Sequence, residues 1–271
     1  MKPVLYLLFL LALLGCTKAK WESYSPPSLP DEEEYEPTGD TIRMRVMSVG
    51  TKQDNEAISR YAVLADSLNV DFIIAREMDK NNNRSGRDVD QPKNLSIAAN
   101  MPDYLFVSGQ DYKGGEFGIT IYSKHEIRDT KTSVFPTNRP FGLIQTNVDG
   151  HDVYFAGAQL DDGTSASAAA NRLKQVESLL EITANIDGPM ILAGNFFIQD
   201  GAVISDPTVQ ALGAQFSPGC TSCGFTLDNA IADFILYKWK GEVIVEDYKV
   251  FPQPISPLSR KVAYAELAFV L

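Results

Sequence analysis

The sequence predicts an α/β domain of two packed, mostly antiparallel β-sheets with helices on their outer faces. Three observations carry this. A β-rich apolar segment is followed at once by a helical one, a meander of short strands fills the middle of the chain, and a helix and strand recur before the last strands. Ile42 to Val49 is the first strand. Gln53 to Leu68 sets Ile58, Tyr61, Ala65 and Leu68 at helical spacing. Asp71 to Ala75 is a short buried strand. Lys80 to Pro92 is polar, Asn-rich and loop-like, and Leu95 to Asn100 ends a second helix. Strands follow at Tyr104–Val107, Gly118–Tyr122, Thr132–Phe135, Gly142–Val148 and Asp152–Gln159, with Asp149-Gly150 as a hairpin turn between the last two. Ala166 to Ala184 is the clearest helix, with Leu173, Val176, Leu179 or Leu180, and Ile182 on one face. Met190 to Ala193 is a buried strand, and Ile231–Tyr237, Glu242–Val250 and Val262–Val270 complete the strands.

The chain has 271 residues, 44% of them apolar and 22% charged, which is ordinary for a globular protein and excludes collagen, wholesale disorder and a polytopic membrane protein. It carries 24 Lys and Arg against 35 Asp and Glu, a formal charge of −11. This balance argues against nucleic acid as a partner, because phosphate neutralisation needs clustered cations.

The first 15 residues are an address. Lys2 precedes the apolar run Val4 to Leu14, which is too short for a span of about 20 residues but suits a signal-peptide core. The run ends in Leu13-Leu14-Gly15-Cys16, similar to a bacterial lipobox, in which cleavage leaves a lipidated Cys16. An ordinary secretory signal with an incidental Cys is the alternative. The lipobox implies a lipid-anchored protein of the bacterial cell envelope, with the membrane as a partner. Thr17, in place of a retention Asp, points by analogy to the outer membrane. Residues 16–40, with Pro26, Pro27, Pro30, Pro37 and the acidic run Asp31 to Glu34, form an extended tether. Residues 41–271 form one domain without internal repeats.

Several short segments of that domain, in order, resemble the endonuclease/exonuclease/phosphatase superfamily with its deoxyribonuclease-I-like fold. Val46-Met47-Ser48-Val49-Gly50 resembles the opening strand, and Asp71 to Asp79, containing Arg76-Glu77, the strand with the family's Gln-Glu pair. Gly115-Glu116-Phe117-Gly118 with Ile121-Tyr122-Ser123-Lys124 resembles the central hairpin. Ala158-Gln159-Leu160-Asp161 resembles Thr-His-Leu-Asp, and Gly194-Asn195-Phe196-Phe197 resembles Gly-Asp-Phe-Asn. Ala232-Asp233-Phe234-Ile235 resembles Ile-Asp-Tyr-Ile, and Ala265-Glu266-Leu267 the last strand after Ser-Asp-His. The resemblance implies a four-layer sandwich, two mostly antiparallel sheets flanked by helices. It also implies hydrolysis of a phosphate ester by water, with Mg²⁺ or Mn²⁺ on a Glu and an Asp.

The residues at the family's chemical positions depart from that pattern. Glu77 matches the metal-binding Glu, and Asp233 the Asp that aligns a phosphate-contacting His. Gly50 stands for an Asn, Gln159 for a His, Asn195 for the water-orienting Asp, and Phe197 for a second Asn. Ser259 and Arg260 fall where the metal Asp and the His would be. The only histidines, His125 and His151, are far from the last strand in sequence, and no Asp follows Asp247. Loss of one acid/base or electrostatic group costs about 10²–10⁴ in rate, and several are missing together. The expectation is a non-catalytic pseudoenzyme that needs no cofactor and binds a protein or small-molecule ligand. The alternatives are a divalent-metal phosphodiesterase or phosphatase using Glu77, and a structural lipoprotein subunit.

Without its metal, Glu77 needs another cation, and two outcomes are open for Arg260: a guanidinium in the cation's place, or exposure to solvent. Strand alternation is expected to send Arg76 to the face opposite Glu77. Arg139 precedes a strand as either a substrate-contacting or a surface residue. Cys220 and Cys223 are too few for a zinc site. They are read as a local disulfide in the 216–226 loop, with two free thiols as the alternative.

Overall fold

The computed structural model describes residues 39–51, 54–199, 202–224, 226, 230–251 and 261–271. The expected signal peptide, the candidate lipidation site Cys16 and the expected tether up to residue 38 lie outside these residues, as do Leu258, Ser259 and Arg260. No helix among the described residues is long and apolar enough to cross a membrane.

β1 (Thr41–Gly50), α1 (Asn55–Ser67) and β2 (Phe72–Lys80) make a parallel β-α-β unit. α1 starts where the Asp54 side chain accepts hydrogen bonds from the amides of Glu56 and Ala57. α2 (Gln91–Ala98) leads into the hairpin β3 (Asp103–Tyr112) and β4 (Gly115–Ser123). The meander β5 (Ile127–Phe135), β6 (Arg139–Val148) and β7 (His151–Gln159) follows. α3 (Ala166–Thr183) then returns the chain to β8 (Met190–Gln199), parallel to β7. The remainder is α4 (Pro207–Leu212), the two-residue β9 (Ser217–Pro218), β10 (Ala230–Lys238), β11 (Val243–Val250) and β12 (Ala263–Val270). One six-stranded sheet runs β11-β12-β1-β2-β4-β3, the other β5-β6-β7-β8-β10-β9.

Period-two side-chain alternation sorts the core into layers. Ile42, Met44 and Val46 of β1 point between the sheets, where they join Phe72, Ile74, Phe155, Ile191 and Ile235. Met47 and Val49 point the other way, against Ala57, Ile58 and Tyr61 of α1. On the far side, Val176 and Leu179 of α3 cover Met190 and Leu192 of β8. The result is the four-layer sandwich, helix–sheet–sheet–helix. The Asp149-Gly150 turn is as expected for a two-residue hairpin, with φ of 52° and 93°.

Several elements differ from their sequence reading: β3, β6 and β8 are longer than expected, and α4 and β9 have no counterpart in it. β5 begins at Ile127 rather than Thr132. It is an edge strand whose side chains are mostly exposed, so it carries no apolar alternation to read. α2 begins at Gln91, capped by Asp90 with Pro92 in its first turn. β2 runs on to Lys80 through a bulge.

Candidate functional site

Each sheet contains one parallel β-α-β unit, and the carboxyl ends of their strands meet. Gly50 is opposite Arg76 in the β1–β2 register. Gln159 is opposite Asn195 on β7 and β8, and Asn195 is opposite Asp233 on β10. The structure therefore brings Gly50, Glu77, Gln159, Asn195 and Asp233 to one end of the sandwich. Phe197 lies two residues beyond Asn195.

A buried guanidinium occupies the middle of this cluster, and it comes from Arg76. Its Nε donates to Asp233 Oδ1 at 2.9 Å and its Nη2 to Asp233 Oδ2 at 2.5 Å. Its Nη1 lies 3.6 Å from Glu77 Oε1. The Arg76 and Asp233 side chains are fully buried, and Glu77 is nearly so. Burial alone would lower the pKa of Arg76, but the carboxylates of Asp233 and Glu77 hold it above the ordinary arginine value. Ser48 also donates to Asp233 Oδ1, at 2.9 Å, so the carboxylate ties β1, β2 and β10 together. Asp233 is itself fixed by Thr226, whose hydroxyl oxygen accepts from the amides of Ala232 and Asp233.

The expectation that Arg76 and Glu77 point to opposite faces is overturned. Alternation does place Arg76 between the sheets, on the side of Phe72 and Ile74. The β2–β4 register then shifts between Ala75 and Met78, and Glu77 adopts a left-handed φ of 59°. The bulge turns Glu77 back towards the guanidinium. Thr51 fastens it, since its hydroxyl lies within hydrogen-bond distance of the Arg76 and Glu77 carbonyls at 3.1 and 2.8 Å.

The other substituted positions are buried, and only some of their polar atoms are paired. Gly50 offers only its carbonyl, which accepts the Tyr61 hydroxyl at 2.8 Å. Asn195 Oδ1 accepts the Phe197 amide at 3.0 Å. Asn195 Nδ2, Gln159 Oε1 and Arg76 Nη1 are buried with no hydrogen-bond partner among the described residues. Phe197, at φ 50°, lies under the Arg172 guanidinium, 5.5 Å from its ring centre. Arg139 lies 2.8 Å from Asp162 and 3.6 Å from Asp161 and is mostly buried, so it is not a simple surface residue. Burial would raise the Asp161 pKa, but Asn171, the Gly163 amide, Arg139 and Arg172 together hold it below the ordinary carboxylate value. Cys220 and Cys223 are joined as a disulfide, with their Cα atoms 5.9 Å apart.

Among the described residues, no three His, Cys, Asp or Glu side chains are grouped to hold a metal ion. The two carboxylates nearest the expected position, Glu77 and Asp233, already share the Arg76 charge. A divalent cation there would meet a fixed positive group, so the residues present do not fit one. Sequence reasoning placed Arg76 on the wrong face and assigned no role to Ser48, Thr51 or Thr226. The inward phase of Arg76 with Phe72 and Ile74 was the one usable signal.

No family model matches the sequence, and no curated protein matches it. Solved structures do. An endonuclease/exonuclease/phosphatase from Beutenbergia cavernae superposes with a TM-score of 0.66 at 15% identity, covering 84% of this chain and 72% of that one. The human Nocturnin catalytic domain with bound sulfate gives 0.66 at 13%, covering 85% and 97%. A mannosyl-6-phosphatase of Bacteroides thetaiotaomicron gives 0.59 at 14%, covering 83% and 99%. At such identities the likeness establishes architecture: this chain has the endonuclease/exonuclease/phosphatase, deoxyribonuclease-I-like fold.

Proposed function

We propose that this protein is a non-catalytic binding domain on a phosphoesterase-type fold, held at the bacterial cell envelope by a lipid on Cys16. The observation that carries the loss of catalysis is the buried Arg76 between Asp233 and Glu77. A guanidinium supplies positive charge but no exchangeable site for water, so it cannot generate the nucleophile that a bound ion would. Asn195 adds no carboxylate to deprotonate water at neutral pH. The acidic sequence favours a protein or small-molecule ligand over nucleic acid.

The full chain is assayed with bis(p-nitrophenyl) phosphate, p-nitrophenyl phosphate and a DNA oligonucleotide, each with Mg²⁺ and with Mn²⁺. Expected is no turnover above buffer, and no metal binding at the Glu77 site by calorimetry. Turnover that disappears in Glu77→Ala would restore the metalloenzyme reading. Anchoring is tested separately. Cys16→Ala should move the protein from the membrane fraction and abolish labelling by radioactive palmitate.

A further inference from the structure

We propose that the protein binds a single neutral sugar ring in a dish on the outer face of its second sheet, remote from the buried Glu77 cluster. This takes up the binding role proposed above but does not depend on the state of that cluster. The dish has a volume of about 260 Å³ and is lined by residues of β5, β6 and β7 and of the carboxyl end of α3 and the segment after it. Asp129, Gln145 and Tyr154 form one row across β5, β6 and β7, and Lys131 and Leu143 begin the next. Ile182 and Ile186, at the end of α3 and just after it, form the wall. Tyr154 is five residues from Gln159 along β7, about 17 Å at strand rise. Its ring packs towards α3, in the layer of Val176 and Leu179.

The lining chooses among ligand classes. Leu143, Ile182, Ile186 and Tyr154 give an apolar base on which the C–H face of a ring can rest. Gly188 lies against the tyrosine ring: a Cβ there would come within 2.7 Å of it, so the close backbone approach fixes the ring's position. The rim mixes two carboxylates, Asp129 and Glu181, with one ammonium, Lys131, and the amides of Gln145 and Asn185. An anion would meet the excess of carboxylate, and a free cation would leave the Lys131 donors unused. Hydroxyl groups donate and accept at once, so they match such a rim on both counts.

The rim is also available. The side chains of Lys131, Glu181 and Asn185 form no ion pair or hydrogen bond with another described residue. Asp129 uses Oδ1 for the Thr130 amide, leaving Oδ2. Gln145 uses its nitrogen for Asp152, leaving its oxygen. Burial, with Asp152, Asp187 and Asp129 nearby, raises the Tyr154 hydroxyl above the ordinary phenol pKa, in keeping with a site unfavourable to anions. The volume falls just under the range of about 300–1,000 Å³ usual for drug-sized ligands, which suits one ring.

The test is saturation-transfer NMR and calorimetry on the full chain. The probes are methyl α-D-glucopyranoside, methyl α-D-mannopyranoside, glucose 6-phosphate and choline. Expected is saturable binding of at least one methyl glycoside, in preference to the phosphate and the choline. Glu181→Ala and the filling variant Leu143→Trp should each weaken it about tenfold or more, as expected for losing a charged hydrogen-bond partner or the space itself. No transfer to either glycoside, preference for glucose 6-phosphate or choline, or glycoside binding unchanged in Glu181→Ala would each overturn the proposal. Glu181 is exposed, so that variant keeps the fold as a control for Leu143→Trp. Phosphoesterase turnover at Glu77 would leave this result untouched, and absence of glycoside binding would leave the catalytic reading untouched.

Discussion

Replacing Arg76 by methionine keeps most of the side-chain bulk and removes the charge. Asp233 would lose both guanidinium bonds, at 2.9 and 2.5 Å, and Glu77 its cation at 3.6 Å. Neither Arg76 nor Asp233 has any exposed side-chain surface, so water cannot take over. Stranding a buried charge in this way costs about 3–5 kcal/mol. At about 2–4 °C per kcal/mol for a domain of this size, Tm should fall by roughly 6–20 °C. The assay is urea unfolding followed by far-UV circular dichroism. Arg76→Met combined with Asp233→Asn should recover part of the loss, because a neutral pair no longer leaves that carboxylate stranded. Mg²⁺ or Mn²⁺ should stabilise Arg76→Met and not the unsubstituted protein. The gain is about 1.4 kcal/mol at ten times the variant's dissociation constant. A loss below about 1 kcal/mol, within the range of a surface ion pair, would refute the reasoning, as would equal stabilisation of both proteins by the metal.

Asn195→Asp restores one carboxylate but leaves Arg76 in place, so no hydrolysis of bis(p-nitrophenyl) phosphate should appear with Mg²⁺; measurable turnover would contradict this. Burial would raise the Asp79 pKa, but hydrogen bonds from Arg84, Ser85 and Asn82 and the Arg84 charge hold it below the ordinary 3.8. Its stabilising effect is therefore complete above that value and lost as pH falls through the lower folded value. Asp79→Asn should flatten the acid limb of a stability–pH curve below about pH 4, and an unchanged limb would exclude the assignment. Gly194 has φ of 141°, and a Cβ there would lie 1.9 Å from the Ala158 carbonyl oxygen. Gly194→Ala should destabilise by more than about 2 kcal/mol, and near-native unfolding in urea would show the backbone there to be less constrained.

Much of the architecture is legible because burial on one face imposes a period. β1 alternates between two apolar layers, α3 repeats its apolar face, and Asp149-Gly150 supplies the turn that two short strands need. β5 is invisible to the same logic because its Arg-Asp-Thr-Lys-Thr-Ser run faces solvent. α4, six residues long, completes too few turns to show a face. At the site, the substituted positions could be read one by one, but not what satisfied them. Arg76 and Asp233 are 157 residues apart, and no local pattern links them. Anchoring the strand phase on Glu77 gave the wrong face for Arg76, because a bulge has no signature in residue periodicity. A guanidinium does stand beside Glu77, but it belongs to Arg76; Arg260 lies outside the described residues.

The position of β12 has a consequence for the order of assembly. It lies inside the first sheet, between β11 and β1, and its pairing with β1 runs from Thr41–Val270 to Ser48–Ala263. β1 therefore keeps an open edge until residues 263–270 are in place. Contacts between residues so distant in sequence slow the folding reaction. Removing β12 would split the first sheet in two, whatever the second had already achieved.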